Sequence, residues 1–296
     1  MGQRANSSCL VRIFLTLIAL SAVASCERGN PTPAPSTNTS KKIKVASLVP
    51  AATDLLVGMG AADHLAAVSN WDTDLPEIKQ LPRVGDYQTT DWERLAELRP
   101  DVMLVFMSID RMPPGMKQRA DQLGIRLINI QTENLNDVFE AIDRLGQIID
   151  ERDRAAQLSK KIHGQLDAVA KRVEGKQRVP TMLARDEQGY ALIAGDTFAD
   201  ELLTIAGGKN VAGEFKTRYP NVDRERVIEL APQAIIQLMP GASPQVIEQA
   251  RANWARLPEL PAVKENRIYI FNHWYVLQPG SHIGHVAEQM AKLLHP

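Results

Sequence analysis

The sequence predicts an α/β protein of two similar lobes joined by a single long helix, with a cleft between the lobes. Three observations predict this architecture. Strands and helices alternate through short connections in both halves of the chain, which indicates parallel sheets covered by helices on both faces. Residues 135–174 contain no proline and carry apolar residues at helical spacing. A segment of the first half also recurs in the second half.

Composition supports a globular protein with two lobes. The chain has 296 residues, of which 44% are hydrophobic and 23% charged, so two lobes of ordinary domain size can each bury a core. The formal net charge of −1 gives no sign of nucleic-acid binding. After the N-terminus no run reaches the roughly eighteen apolar residues that a membrane span requires.

The N-terminus, residues 1–25, is typical of a signal peptide. Arg4 and Arg12 form a positive segment before an apolar run at 13–20, and Val-Ala-Ser stands directly before Cys26. This run resembles a bacterial lipobox, which would imply cleavage before Cys26, lipidation of its thiol, and a protein anchored to a membrane in the periplasm or cell envelope. The alternative is an ordinary secretory signal. Cys9 leaves with the signal, so a single cysteine remains and no intramolecular disulfide can form.

The composition of residues 26–42, rich in Pro, Thr, Ser, Asn and Gly, predicts a flexible tether. The first lobe follows at 43–150. Its predicted strands are 43–49, 65–69, 102–106 and 126–130, and its predicted helices begin at Pro50 and cover 91–98 and 114–123.

A backbone helix is predicted at 151–175, with a length of ~35 Å at about 1.5 Å per residue. Together with the helical pattern at 135–149 it forms either one helix or two helices in series. The second lobe, 176–296, then repeats the order of the first. Its predicted strands are 179–184, 190–193, 234–238 and 267–271, and its predicted helices are 198–205, 224–230, 244–253 and 283–294.

The internal repeat can be counted. Residues 91–100 and 223–232 lie 132 positions apart and are identical at six of ten positions. Tyr87 and Tyr219 stand at the same offset, and Asp54-Leu55-Leu56 resembles Glu201-Leu202-Leu203 at an offset of 147. Two related lobes on one helix predict a cleft with approximate two-fold symmetry.

Several aromatic residues fall in loops near the carboxyl ends of predicted strands, where open α/β sheets bind ligands. They are Trp71, Tyr87, Tyr219, Trp274 and Tyr275. Rigid aromatic walls suit a large flat or macrocyclic ligand, because they give a wide contact area at little cost in rotamer entropy. The alternative is that these rings fill the core. Trp92 and Trp254 lie on predicted helices, where core packing or the surface is expected.

No catalytic motif is present: the sequence lacks G-x-S-x-G, a dinucleotide fingerprint and a Walker lysine loop. We therefore predict no enzyme, no catalytic residue and no protein-bound metal or cofactor. Asp72 and Asp74 are expected on a surface loop. His282 and His285 are expected mainly on the solvent side of the last helix, whereas His273 either contacts the ligand or is a hydrogen-bonded loop residue. The alternative is a metal-dependent hydrolase that uses these three histidines.

Several segments together resemble the helical-backbone substrate-binding proteins of ABC importers. They are Ser47–Leu56, Pro82-Arg83-Val84-Gly85, Glu93-Arg94-Leu95, Leu98–Asp101, Leu123-Gly124-Ile125, Glu201–Leu203, Ala206–Val211, Leu260–Lys264 and Arg267-Ile268-Tyr269. The resemblance covers about 42–296 and implies two Rossmann-like lobes joined by one backbone helix. Within this family the chain is most similar to the cobalamin-binding branch.

The resemblance also implies roles for residues. Trp71, Tyr87, Tyr219 and Trp274 would contact a corrinoid, and Glu93 and Glu225 would dock on arginines of the membrane permease. The transported ligand would be cobalamin or another metal-bearing macrocycle, with haem or a ferric siderophore as the alternative. The expected partners are thus a permease, a small-molecule ligand and, through the anchor, a membrane; the protein itself is expected to be a monomer.

Overall fold

The computed structural model describes residues 41–73, 75–86, 88–107, 112–113 and 115–296. The predictions about the signal segment and Cys26, and those about Asp74 and Tyr87, lie outside these ranges, as does the tether apart from its last two residues. Within them, no helix has both the length and the hydropathy needed to cross a membrane.

The first lobe is built on a parallel sheet. Its strands are β1 (Val45–Ser47), β2 (Leu65–Ala67), β3 (Val102–Val105) and β4 (Arg126–Asn129), in the order β2-β1-β3-β4. The helices are α1 (Pro50–Gly58), α2 (Trp92–Leu98), α3 (Met116–Gln122) and α4 (Leu135–Ile148), with a short 3-10 turn at Ala62–His64. The predicted alternation of strands and helices is confirmed here, with the observed strands one to four residues shorter.

The second lobe repeats this topology. Its parallel strands are β5 (Val179–Ala184), β6 (Gly208–Asn210), β7 (Ala234–Leu238) and β8 (Ile268–Phe271), in the order β6-β5-β7-β8. After α5, described below, the helices are α6 (Phe198–Ile205), α7 (Arg224–Leu230), α8 (Pro244–Ala255), α9 (Pro261–Lys264) and α10 (Ile283–Leu294). In each sheet the first strand lies between the second and the third, so the internal repeat holds at the level of topology.

The prediction of a strand at 190–193 was wrong. Leu192 and Ala191 form only isolated antiparallel bridges, to Ala184 and Asn221 respectively. β7 pairs with Thr181–Ala184 and β6 with Val179–Thr181, so the segment meets only the end of β5, where the N–H of Ile193 donates to the carbonyl of Leu183 at 3.0 Å. The second strand of this lobe is instead β6, which begins at Gly208, shortly after the predicted helix 198–205.

The helical stretch between the lobes is two helices, α4 and α5 (Arg152–Val173), which turn at Asp150 with a φ of 60°. The ring of Phe139 stacks on that of His163 with centroids 3.7 Å apart, so α4 folds back along α5. A Cβ at Gly146 would lie 2.4 Å from the Cβ of Ala155, and glycine therefore allows the close approach beside the turn.

Helix α5 is the single long helix that joins the lobes, with 22 residues and a length of ~33 Å. Near its start, Arg154 donates to the carbonyl of Gly60 in the first lobe. Near its end, Val173 lies close to Gly207 in the second lobe. Its buried residues are Ala155, Leu158, Ile162, Leu166, Val169 and Val173, the six that the helical pattern predicts.

The repeated segments fold alike in detail. Asp91 caps α2 by accepting the N–H of Arg94 at 2.9 Å, and Asp223 caps α7 by accepting the N–H of Arg226 at 2.8 Å. Both helices end at a left-handed residue, Arg99 or Ala231. These shared caps and ends place α2 and α7 equivalently in their lobes.

Candidate ligand-binding cleft

A cavity of about 680 Å³ lies between the lobes. Its first-lobe wall follows β1, β2 and β3 and includes Val49, Pro50, Trp71, Asp86 and Phe106. Its second-lobe wall includes Phe198, Tyr219, Trp274, Leu277 and Gln278. The cavity therefore sits at the carboxyl ends of strands in both sheets, the position expected for a ligand site in this class of fold.

The wall of this cavity is unusually apolar for exposed surface. Trp71 is 73% exposed, and Phe106 and Tyr219 are each 42% exposed. Exposed aromatic side chains grouped in a concave surface lose little entropy on binding and gain from dehydration, so they favour a ligand with apolar faces.

Trp71 is held by Asp86. The indole Nε1 donates to Oδ2 of Asp86 at 3.2 Å, while Oδ1 of Asp86 accepts the backbone N–H groups of Gln88 and Thr89, each at 2.8 Å. These bonds, first of all the one from Thr89, lower the pKa of Asp86 below its usual range. The carboxylate is thus charged at neutral pH and orients the indole on the cavity wall.

Tyr219 stands on the opposite wall, beneath Arg185. The guanidinium carbon lies 5.4 Å from the ring centroid, within the range of a cation–π contact. Burial raises the pKa of Tyr219, so its phenol is neutral at physiological pH. A side pocket of about 260 Å³ next to this ring is lined by Arg185, Phe198 and Leu277 and continues the main cavity, since Phe198, Tyr219 and Leu277 belong to both.

Trp274 belongs to a cluster of rings after β8. Tyr275, buried behind it, meets the Trp274 ring edge-on, with centroids 5.4 Å apart. The imidazoles of His273 and His282 stack on the Tyr275 ring at 5.2 and 4.7 Å. His273 is exposed and lies beside the cavity wall rather than on it, so its contact with a ligand stays a prediction.

The predicted histidine pair divides between two environments. His282 packs against Trp274 and Tyr275 and approaches Oδ1 of Asp54 to 3.4 Å, whereas His285 lies on the surface of α10 beside Glu288. The ring cluster covers part of His282, which is less solvent-facing than predicted, although 39% of its side chain stays exposed. Among the residues the structure describes, no three His, Cys, Asp or Glu side chains are grouped to hold a metal ion.

The structure brings Trp71, Tyr219 and Trp274 together in one cavity. Phe106, Phe198 and Asp86 also line the cavity and were not predicted from the sequence. Phe106 directly follows β3 and was assigned to the strand itself, although the strand-end rule would have selected it. Trp254 is 1% exposed and donates to Gln237 in the core, and Trp92 packs partly buried on the outer face of the first lobe.

The two glutamates predicted to dock lie at equivalent places. Glu93 and Glu225 are exposed in the first turns of α2 and α7. Each helix leads into the next strand of its lobe, so its first turn lies at the carboxyl edge of the sheet, the edge that carries the cavity. Neither carboxylate has a hydrogen bond or ion pair with another residue of the described ranges.

Comparison with known proteins agrees with this geometry. Residues 45–273 match the periplasmic binding protein family. A vitamin B12-binding protein of Vibrio parahaemolyticus is 25% identical over 236 residues, which are 80% of this chain and 83% of that protein. An uncharacterised ABC transporter substrate-binding lipoprotein of Bacillus subtilis is 25% identical over 266 residues, 86% of this chain and 80% of the relative.

Among solved structures, the periplasmic haem-binding protein of Vibrio cholerae superposes with a TM-score of 0.74 at 22% sequence identity, covering 86% of this chain and 99% of the other. The shared fold is a pair of α/β lobes. The family model matches residues 45–273, and the relatives align with most of the chain. This chain therefore belongs to the periplasmic binding protein family, whose members are non-enzymatic components of transport.

Proposed function

We propose that this protein captures cobalamin or a related corrinoid in the cleft and delivers it to the permease of an ABC importer while anchored to a membrane by a lipid on Cys26. The observation that carries the proposal is the cavity between the lobes, with Trp71 on one wall and Tyr219 and Trp274 on the other. Rings from two sides can cover both faces of a flat macrocycle. The vitamin B12-binding relative supports the same ligand.

The charge of the main cavity also supports a corrinoid. The wall residues described include two acids, Asp86 and Glu133, and no lysine, arginine or histidine. A ligand that carries several carboxylates would meet these acids without a compensating cation on the same wall. The amide side chains of a corrinoid carry no such charge.

A second candidate ligand is haem or a ferric siderophore. The likeness in fold to a haem-binding protein favours this candidate, as does Arg185, which lies at the side pocket and offers a cation to an anionic group. The two candidates differ in charge: an anionic haem or siderophore would need its negative groups near Arg185, whereas the neutral amides of a corrinoid can lie along the main wall.

Titration of the purified protein with cyanocobalamin, haemin and a ferric hydroxamate, followed by ligand absorbance and tryptophan fluorescence, tests the proposal. We expect a saturable signal with cyanocobalamin, at an affinity at least tenfold above that of the others. Saturation with haemin or the siderophore alone would assign the ligand to the second candidate.

The anchor needs a separate test, because ligand binding does not depend on it. In cells, a Cys26→Ser variant should appear in the soluble envelope fraction, while the parent protein should partition with membranes and carry the added mass of acyl chains. If both proteins partitioned equally, the proposed lipid anchor would be contradicted, whereas the proposed ligand would be unaffected.

A further inference from the structure

A buried carboxylate links the first lobe to the second. Asp54 lies on the buried face of α1 and is 2% exposed, among Ala51, Leu55 and other apolar residues. Its Oδ2 accepts the backbone N–H of Ser281, 227 residues further along the chain, at 2.5 Å. A Cβ at Gly280 would lie 2.1 Å from that oxygen, so glycine is required beside this bond.

The second lobe makes the reverse contact. Oε2 of Glu201, on α6, accepts the backbone N–H of Leu135 at 2.6 Å, where α4 begins in the first lobe. Next to it, the backbone N–H of Phe198 donates to the carbonyl of Glu133 at 2.8 Å. Asp54 and Glu201 are 147 residues apart and hold equivalent places in the repeat.

The two contacts are therefore reciprocal. In each lobe, the carboxylate belongs to the helix that follows the first strand, and the amide that it binds leads into or begins the helix that follows the last strand of the other lobe. Because the lobes repeat each other, the molecule has the same clamp twice, on two sides of the cleft.

Both clamps adjoin the cavity wall. Near Asp54, the side chain of Gln278 donates to the carbonyl of Pro50 at 2.8 Å, and both residues line the cavity. Near Glu201, the linked residues Glu133 and Phe198 line it as well. A rotation of one lobe against the other about any axis that does not pass through both clamps must stretch these bonds and move those parts of the wall.

Breaking the Asp54 contact would leave the carboxylate among apolar residues with few other hydrogen-bond donors. Oδ1 of Asp54 already has no hydrogen bond within the described ranges, and the imidazole Nδ1 of His282 lies 3.4 Å from it. A charged buried acceptor that loses its donor is far more costly than the same loss at the surface.

We propose that Asp54 and Glu201 are positioning residues that hold the two lobes at the separation needed for ligand capture, one clamp on each side of the cleft. They keep the walls prearranged, so that binding does not have to order the lobes. The inference rests on the cleft being the ligand site and not on which ligand occupies it.

The test measures the distance between lobes without ligand, and so stays separate from the ligand assignment. In the full chain with Cys9→Ser and Cys26→Ser, spin labels at Lys117→Cys on α3 and Gln245→Cys on α8 report the distance by pulsed electron paramagnetic resonance. Asp54→Ala combined with Glu201→Ala should broaden and shift the distance distribution. Glu248→Ala, an exposed control on α8, should leave it unchanged.

The variants Asp54→Asn and Glu201→Gln keep the shape and an acceptor oxygen, and so guard against a failure to fold. Loss of the charge should speed amide hydrogen exchange in the peptides that contain Ser281 and Leu135 by roughly tenfold, with little change elsewhere. A double alanine variant that folds and keeps the parent distance distribution would overturn the proposal. Faster exchange spread evenly over both lobes would do the same, because it would indicate only a general loss of stability.

Discussion

Trp71 and Asp86 form a hydrogen-bonded pair on the cavity wall, with the indole Nε1 3.2 Å from the carboxylate Oδ2. Asp86 in turn is fixed by the N–H groups of its own turn. An aromatic side chain that is 73% exposed would ordinarily sample several rotamers, and this pair restricts it to one that faces the cleft.

The pair predicts a pH dependence for the indole. Hydrogen bonds lower the pKa of Asp86 below the ordinary aspartate value of 3.8. The charged carboxylate therefore holds the indole at every pH above 3.8, and this stabilisation is lost only as the pH falls through the lowered pKa of the folded state. The fluorescence of Trp71, obtained by subtracting that of a Trp71→Phe variant, should therefore stay constant from pH 7 down to the ordinary value. It should change only below it.

Asp86→Asn provides the control, since at pH 7 it should show the same fluorescence as the parent protein does at the lowest pH. Circular dichroism must confirm that the fold persists at each pH. A fluorescence change centred well above the ordinary value would show that Asp86 does not hold the indole.

Truncating the wall aromatics should weaken ligand binding. Trp71→Ala or Tyr219→Ala should each cost ~2 kcal/mol, or roughly thirtyfold in the dissociation constant of cyanocobalamin, because each removes a large contact face. Leu123→Ala is the matched control, as Leu123 is also an exposed apolar residue but lies on the outer surface after α3. Unchanged affinity in both aromatic variants would place the ligand elsewhere.

The two exposed glutamates should act in delivery rather than capture. Glu93→Ala combined with Glu225→Ala should reduce uptake by cells at least tenfold, because it would remove both of the charge-assisted contacts that we propose with the permease. The affinity for ligand in solution should not change, since neither residue lines the cavity. Glu248→Ala is the control, because it also removes one negative charge from an exposed helix residue. An equal loss of uptake and of ligand affinity in the double variant would contradict the docking role.

Gly189 predicts a stability effect that is independent of the cleft. Its φ is +82°, and a Cβ would lie 2.1 Å from Cζ2 of the buried Trp254. Gly189→Ala should lower the free energy of unfolding by ~1–3 kcal/mol through overpacking and backbone strain. Urea denaturation measures this loss.

Gly164→Ala is the opposite control. Gly164 is exposed within α5, and a Cβ there would meet no atom within 4 Å. The substitution should raise the free energy of unfolding by ~1 kcal/mol, since alanine has the higher helix propensity. Stability that falls equally in both variants would contradict the role assigned to Trp254.

Local pattern was sufficient for most of the fold. The spacing of apolar residues in 152–173 predicted every buried position of α5, and the bounds of α6, α7 and α10 agree with the predicted ones. The repeat of 91–100 at 223–232 predicted two equivalent lobes, and the strand-end rule selected Trp71, Tyr219 and Trp274. These features depend on residues close together in the chain or on a comparison within it, which is why sequence alone determined them.

Tertiary structure decided what depends on distant segments. Whether residues 190–193 form a strand depends on which segments pair with β5. The burial of His282 depends on Tyr275, whose ring stacks on the imidazole. The bond from Ser281 to Asp54 joins positions 227 residues apart, and no local periodicity encodes such a pairing. The sequence alone does not explain an aspartate on the apolar face of a helix. Its hydrogen-bond donor, the N–H of Ser281, belongs to the other lobe and reaches Asp54 only in the folded protein.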